Sequence, residues 1–160
     1  MDHNNTYSNK NNNNQTDDSN RIISGDEKRS DKRYDAESEL NAYQSLIKEN
    51  IEYEYLLITY PTEKETIEGI YELIVETVMT SGEKILIASN WYPASLVKDK
   101  FMKLNYHHIQ YVLDMLRSNT TKVRNIKKYI LASLFNAPTT IESYYRAEVN
   151  HDFPQYAAAK

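Results

Sequence analysis

The chain contains no cysteine, three glycines and no long uninterrupted apolar run. Without cysteine, neither a disulfide framework nor a thiolate metal site can form. The three glycines are widely scattered, which excludes a glycine-rich phosphate-binding loop. No apolar run approaches the roughly 18 residues of a membrane span, and the N-terminus lacks the apolar core of a secretory signal. We therefore expect a cytoplasmic protein with no membrane segment.

The first part of the chain is poor in apolar side chains. Residues 1–20 hold eight asparagines and one aromatic residue, Tyr7. Such a segment buries too little apolar surface to offset the entropy of ordering it, and its asparagine runs are low-complexity sequence. We predict a disordered linker or tail over residues 1–34, one folded domain over residues 35–153, and a short tail over residues 154–160.

Apolar residues that repeat at helical spacing fill the predicted domain. The fold class that they indicate is mainly α, a compact bundle of six or seven short helices with a minor β element. A β-branched stretch at residues 84–88 predicts one strand, and residues 50–53 are its expected partner, because unpaired buried amides are costly. The helices are predicted at residues 35–49, 53–59, 63–80, 93–103 and 105–117, followed by a final pair.

Pro138 divides the predicted final pair of helices. Val123, Ile126, Ile130 and Leu134 repeat at helical spacing and predict one buried stripe on the first of the two. We expect Pro138 to end that helix, since proline has no amide hydrogen to donate and its ring clashes with the preceding turn. Thr139 and Glu142 then match a capping box that would begin the second helix.

Charge is unevenly distributed along the chain, although the total is only −4. Residues 35–83 hold twelve acidic side chains and two lysines, whereas residues 93–130 hold eight basic side chains and two aspartates. Asymmetry of this kind is typical of a surface that meets a charged partner. It is equally typical of acidic helices that lie against basic ones within one domain, and the sequence leaves both interpretations open.

No constellation of residues indicates catalysis or metal binding. His107 and His108 are adjacent, so they point to different faces of a helix and cannot chelate one ion together, and we expect surface or capping roles for them. Glu72 and Glu76 lie in a region dense with acids, where a solvated face is the expected role and not an acid–base pair. No nucleophile motif is present. We expect no enzyme activity, no metal and no cofactor.

Two groups of residues are candidates for contact with a partner. Trp91 and Tyr92 are predicted in a turn before a helix, where they would serve either as an exposed aromatic contact or as a staple of that corner. Tyrosines interleaved with basic residues can stack on bases while the cations bind phosphates, but tyrosine also fills core edges. The candidate nucleic-acid or partner contacts are Lys98, Lys100, Lys103, Lys122, Arg124, Lys127, Lys128 and Tyr129.

Three blocks of the chain carry a resemblance to a known family. They are KENIEY at residues 48–53, IASNWYPASLVKDKFMKLNYHHIQYVLDML at residues 87–116, and NTTKVRNIKKYILASLFNAPTTIESYYRAEVNHD at residues 119–152. Together they resemble the C-terminal domain, of unknown function, of RepA-type replication initiators from plasmids and integrative elements of low-GC Gram-positive bacteria. The resemblance implies a small helical domain similar to the DnaD replication proteins.

The resemblance also implies a function and a set of partners. In such initiators an N-terminal winged helix binds the origin, and the C-terminal domain is thought to contact host replication machinery, either the primase or a helicase component. This chain shows no winged-helix segment, so the resemblance implies a detached domain of a mobile-element initiator. We expect a protein-interaction domain, and the alternative is a DNA-binding helical module that uses the basic region at residues 93–130.

Overall fold

The structure is a computed structural model that describes residues 25–154, with side chains described from residue 33. Over these residues the chain forms six α-helices, one 3₁₀ turn and one β-hairpin. In chain order the elements are α1 (Gly25–Asn50), α2 (Tyr53–Thr59), the 3₁₀ turn (Pro61–Glu63), α3 (Lys64–Val78), β1 (Lys84–Ile87), β2 (Asn90–Pro93), α4 (Ala94–Met102), α5 (Tyr106–Ser118) and α6 (Ile126–Asp152).

This architecture confirms the predicted mainly α bundle with a minor β element. The core lies where α3 packs against α1 and α4, and where α6 packs against α4 and α5. Its apolar side chains recur at helical spacing, so each helix presents one face to the centre. The largest fully buried side chains are Ile47, Ile51, Leu56, Ile67, Ile70, Ile74, Val78, Phe101, Leu104, Ile109, Leu113 and Leu134.

The first helix begins earlier than the sequence predicts. α1 starts at Gly25 and not at Asp35, so the last part of the predicted linker is helical. Residues 1–24 of that linker and residues 155–160 of the predicted tail lie outside the described residues. Over the described part, no helix combines the length and apolar character needed to cross a membrane.

The final pair of helices is a single helix, so the prediction of a stop at Pro138 is wrong. α6 runs through Pro138 for 27 residues. Thr139 caps no new helix, because its hydroxyl donates to the Asn136 carbonyl at 2.8 Å. Asn125 begins α6 instead, with its side-chain oxygen accepting from the Lys128 amide at 3.0 Å. Tertiary packing of α6 on both α4 and α5 outweighs the one hydrogen bond that proline removes.

The predicted strand exists, but its predicted partner is wrong. β1 pairs antiparallel with β2, which follows after a two-residue loop, in a register that places Leu86 opposite Trp91. Residues 50–53 do not form a strand, since α1 runs to Asn50 and α2 begins at Tyr53. A hairpin closes a much shorter loop than the expected long-range pairing, so its entropic cost is lower. Trp91 and Tyr92 accordingly lie in a strand and not in a turn.

Candidate partner-binding groove

A groove of about 640 Å³ lies between α3 on one side and the end of α5 with the start of α6 on the other. Its α3 wall consists of residues spaced by one, three or four positions, which places them on one face of the helix over about three turns. Among these, Leu73 is buried and Gly69 is exposed. The residues of this wall are Glu65, Thr66, Gly69, Glu72, Leu73 and Glu76.

Apolar side chains form the opposite wall. Leu116 comes from the last turns of α5, and Ile126 and Ile130 come from the first turns of α6. Leu116 and Ile130 are half-buried, whereas 53% of Ile126 is exposed. Large apolar side chains that stay open to water in a concave site are typical of binding sites.

An ion pair links the two walls near each end of the groove. Near the first turn of α3, both Nε and Nη2 of Arg117 lie 2.5 Å from Oε1 of Glu63. Further along α3, Lys127 Nζ lies 2.5 Å from Oε2 of Glu76. The Lys127–Glu76 pair is well exposed, whereas the Glu63 side chain is only 21% exposed. The Arg117–Glu63 contact is therefore the stronger link.

Arg117 is held from several sides. Its Nη1 donates to Asp114 at 3.0 Å, and its guanidinium lies 4.9 Å from the centre of the Tyr60 ring. The hydrogen bond to Glu63 raises the pKa of Arg117. The other oxygen of Asp114 accepts from the Tyr145 hydroxyl at 2.9 Å, and burial with this bond raises the pKa of Tyr145. Because α5, α6 and the 3₁₀ turn all contribute, this end of the groove is fixed in shape.

The rim of the groove keeps an excess of negative charge. Glu63 and Glu76 are neutralised by the two ion pairs. Glu65 and Glu72 are exposed and form no ion pair within the described part of the chain. The groove thus has an apolar interior and two free carboxylates on its α3 side.

The basic residues predicted as contacts on α4 and at its C-cap do not line this groove. Lys98 is half-buried, and Lys103 forms an ion pair with Asp99 one turn before it at 2.7 Å. Lys100 reaches across to α6, where its Nζ lies 3.4 Å from the Phe135 carbonyl oxygen and 4.1 Å from the centre of the Phe135 ring. Lys100 therefore supports the packing of α4 on α6.

The remaining basic candidates surround the start of α6. Lys122 and Arg124 are exposed in the loop before the helix, and Lys128 is exposed in its first turn. These three form no ion pair within the region that the structure describes, whereas Lys127 binds Glu76. Tyr129 is half-buried. Of the ten predicted contact residues, only Lys127 lines the groove.

The two predicted aromatic contacts have different environments. Tyr92 is half-buried, with its ring centre 4.6 Å from that of Phe135 on α6, so it anchors the hairpin to the helix. Trp91 points to the other face of the strand and is 64% exposed. The sequence interpretation left contact and staple open, and the structure gives the packing role to Tyr92 and leaves Trp91 at the surface.

Sequence reasoning missed most of this groove. The sequence predicts a solvated face for Glu72 and Glu76 and places Ile126 in the buried stripe of its helix, whereas all three line the groove. One signal was available, since Gly69 interrupts an otherwise well-patterned helix between Glu65 and Glu72, where glycine is unfavourable. The apolar wall forms because α5 and α6 pack beside α3. Packing between helices that are distant in the chain has no signature in the sequence of any one of them.

Metal binding requires several histidine or acidic side chains close together. Among the residues described, no group of three or more histidine or acidic side chains is placed to hold a metal ion. Over residues 25–154, the one ion pair of a histidine joins neighbours, His151 and Asp152, at 3.1 Å on the surface. His108 serves as a capping residue, in line with one of its two expected roles.

Comparison with known proteins identifies a family and not an individual relative. No curated protein and no solved structure shows a significant match to the chain. A family model matches residues 12–155, which is most of the chain. The chain therefore belongs to the family described as a family of unknown function (DUF6017).

Proposed function

We propose that this chain is a protein-interaction domain whose docking surface is the groove between α3, α5 and α6. The observation that carries the proposal is the groove itself, a concavity of about 640 Å³ with a charged rim and an apolar wall in which Ile126 is exposed and Leu116 and Ile130 are half-buried. Rigid helices hold both walls, and ion pairs join them near both ends. A preorganised apolar concavity favours association because little ordering is needed when a partner binds.

The biological setting that we propose is replication initiation on a plasmid or integrative element. The support for this setting is the resemblance of residues 48–53, 87–116 and 119–152 to the C-terminal domain of RepA-type initiators. In that setting the domain recruits a primase or a helicase component of the host. The groove supplies a surface for such a contact without requiring any catalytic residue.

Binding to purified host proteins tests this proposal. The chain is immobilised, and primase and replicative helicase are passed over it separately. The same measurements are made with the variant Gly69→Phe, in which the phenylalanine side chain fills the groove. We expect one of the two proteins to bind the natural chain and to lose at least tenfold in affinity for Gly69→Phe. The variant Lys98→Met, which leaves the groove unchanged, is the matched control. Absence of binding to both proteins would overturn the replication setting, and equal binding by Gly69→Phe would overturn the groove.

A second candidate function is DNA binding at the start of α6. The observation that favours it is the exposure of Lys122, Arg124 and Lys128 without an ion pair within the described residues. Gel shifts of short duplex and single-stranded DNA at low salt test this function. If it is correct, the paired substitution Arg124→Glu with Lys128→Glu weakens binding of all sequences, and each phosphate contact contributes about 0.7 to 0.9 to the slope of log affinity against log salt.

A further inference from the structure

We infer that the groove binds one amphipathic helix that carries basic residues beside an apolar stripe. This inference rests on the proposed function, and it names the chemistry of the partner at that site. It draws on four features of the groove, which are its length, its apolar walls, the glycine on its α3 side and its unpaired carboxylates.

The length of the groove matches three turns of helix. From Glu65 to Glu76 the α3 wall spans eleven residue steps, which is about 17 Å at 1.5 Å per residue. A straight helix of about three turns fits this groove, because one wall of the groove is itself a helix of that length. Helix-in-groove recognition of this kind uses apolar anchors spaced three, four and seven positions apart.

The apolar walls supply the contacts for those anchors. Leu73 lies on the α3 side, and Ile126 and Ile130 lie opposite to it. Ile126 is more than half exposed, so a partner that covers it removes apolar surface from water. Ile126 and Ile130 are one turn apart on α6, which is the spacing at which an anchor of the partner packs between two side chains.

Gly69 allows close approach at the middle of the α3 wall. Glycine in a helix interior is less favourable than alanine. The fold does not require it here, because a Cβ atom added at this position meets nothing within 4 Å and the backbone φ is not positive. Because Gly69 has no side chain, it leaves room above the α3 backbone within the groove. A side chain of a docked helix can lie there against α3.

The charge of the rim selects a basic partner. Glu65 and Glu72 are seven positions apart on α3, so the two positions lie about two turns, or about 10 Å, apart along the helix axis. A docked helix with lysine or arginine at the same seven-residue spacing places one cation against each of them. The cations already present, Arg117 and Lys127, are held by Glu63 and Glu76 and do not neutralise this pair. Like-charge repulsion disfavours an acidic helix or a phosphate-bearing ligand.

Two synthetic helical peptides test the inference directly. One is an 18-residue amphipathic peptide of leucine and lysine, and the other replaces every lysine with glutamate. Fluorescence anisotropy with the full chain measures the affinity for each labelled peptide. We expect the leucine–lysine peptide to bind at least tenfold more tightly than the leucine–glutamate peptide, with affinity that falls as salt is raised.

Matched variants separate the groove from nonspecific attraction to an acidic protein. Glu72→Lys and Glu68→Lys change the net charge equally, but Glu68 is an exposed residue of the same helix that does not line the groove. We expect Glu72→Lys to weaken binding of the leucine–lysine peptide at least tenfold and Glu68→Lys to weaken it less than threefold. Gly69→Phe should abolish binding, with circular dichroism confirming that the helices remain.

Several outcomes would overturn the inference. These are equal effects of Glu72→Lys and Glu68→Lys, equal binding of the two peptides, or self-association of the chain through this face in sedimentation. If a purified replication protein binds and is blocked by Gly69→Phe while neither peptide binds, the helical partner is wrong and the interaction domain stands. If no replication protein binds but the peptide behaves as expected, the replication setting alone is wrong.

Discussion

Within residues 25–154, two residues other than glycine adopt the left-handed backbone region, and both lie at junctions. Glu52 has φ 52° between α1 and α2, and Ala88 has φ 53° in the loop that joins β1 to β2. Side chains with a Cβ atom are disfavoured there by about 1–2 kcal/mol. Ala88 is the first residue of a two-residue hairpin loop, and positive φ at that position is the pattern of turns that prefer glycine.

Replacement of Ala88 by glycine should stabilise the protein. Relief of the backbone strain outweighs the extra flexibility that glycine gives the unfolded chain, so we expect the free energy of unfolding to rise by about 0.5–1 kcal/mol. Urea denaturation measures the change. Ala132→Gly, within α6, is the opposite control and should lower stability by about 1 kcal/mol. A loss of stability for Ala88→Gly would show that the loop does not store this strain.

His108 is the third residue of α5 and completes a capping box with Asn105. The Asn105 side chain accepts from the His108 amide at 3.2 Å, and the Asn105 amide donates to Nδ1 of the His108 ring at 3.1 Å. The helix predicted at residues 105–117 starts at this capping residue. Nδ1 can accept this bond only while it carries no proton. Burial and the neighbouring His107 lower the pKa of His108, in agreement with a neutral ring in the folded protein.

This cap should make stability sensitive to mild acid. The unfolded chain takes up a proton on His108 near pH 6.5, and the folded protein does so only at lower pH. The stabilisation by the neutral His108 ring is therefore fully present above about pH 6.5 and is lost as the pH falls below it. We expect His108→Gln to reduce the loss of stability between pH 7 and pH 5, since glutamine accepts the same bond without titrating. Thermal melts at several pH values measure this, with His107→Gln as the control. A parallel decline in His108→Gln and the natural chain would contradict the assignment.

At the level of single elements, the long helix α6 depends on its neighbours to contain a proline. Pro138 has no amide hydrogen for the Leu134 carbonyl and disturbs the turn before it. Lys100 donates to the next carbonyl, that of Phe135, and the hydroxyls of Thr139 and Thr140 donate to that of Asn136. Side chains therefore supply donors to the two carbonyls that follow that of Leu134, between it and the proline.

Lys100 should accordingly contribute to stability. We expect Lys100→Met, which keeps the length of the side chain, to lower the free energy of unfolding by about 1 kcal/mol through loss of one hydrogen bond and its contact with the Phe135 ring. Lys98→Met on the same helix should change it by less than about 0.5 kcal/mol. Chemical denaturation of both variants measures the difference. Equal stability of the two would mean that Lys100 is a free surface cation and a candidate contact again.

The elements that the sequence predicted well are those with strong local signals. Periodicity gave α3 and α5 to within one or two residues, and Asn105 marked the start of α5. The errors arose where tertiary contacts outweigh local preference. Proline did not end α6 because α4 and α5 stabilise that helix from both sides, and the strand found its partner after two residues in a segment that had been interpreted as a turn.

At the scale of the whole molecule, the uneven distribution of charge has a partly internal explanation. Acidic and basic segments meet in the ion pairs Glu63–Arg117 and Glu76–Lys127, which join α3 and the preceding turn to α5 and α6. This favours the interpretation in which the two halves face each other within one domain. The groove was not predictable from the chain for the same reason, since its walls come from segments about 50 positions apart that no local pattern connects.

The two ion pairs should differ in their contribution to stability. Glu63→Gln removes the charged acceptor of two nitrogens of Arg117 from a partly buried contact, and we expect a loss of about 1 kcal/mol in the free energy of unfolding. Glu76→Gln removes one exposed contact with Lys127 and should change stability by less than about 0.5 kcal/mol. Both side chains of the second pair are about 60% exposed, so salt screens that pair more effectively.

Urea denaturation of both variants at 0.05 M and 1 M sodium chloride measures these contributions. The effect of Glu63→Gln should persist at high salt. Asp114 and the Tyr60 ring still hold the Arg117 guanidinium in place in this variant. The guanidinium then faces a neutral amide, at a site partly withdrawn from water, where a carboxylate stood. Equal losses for the two variants, or a Glu63→Gln effect that disappears at high salt, would contradict the difference expected between the pairs. Loss of stability in neither variant would show that neither pair fixes the groove. In that case the spacing of its walls depends on the apolar core alone.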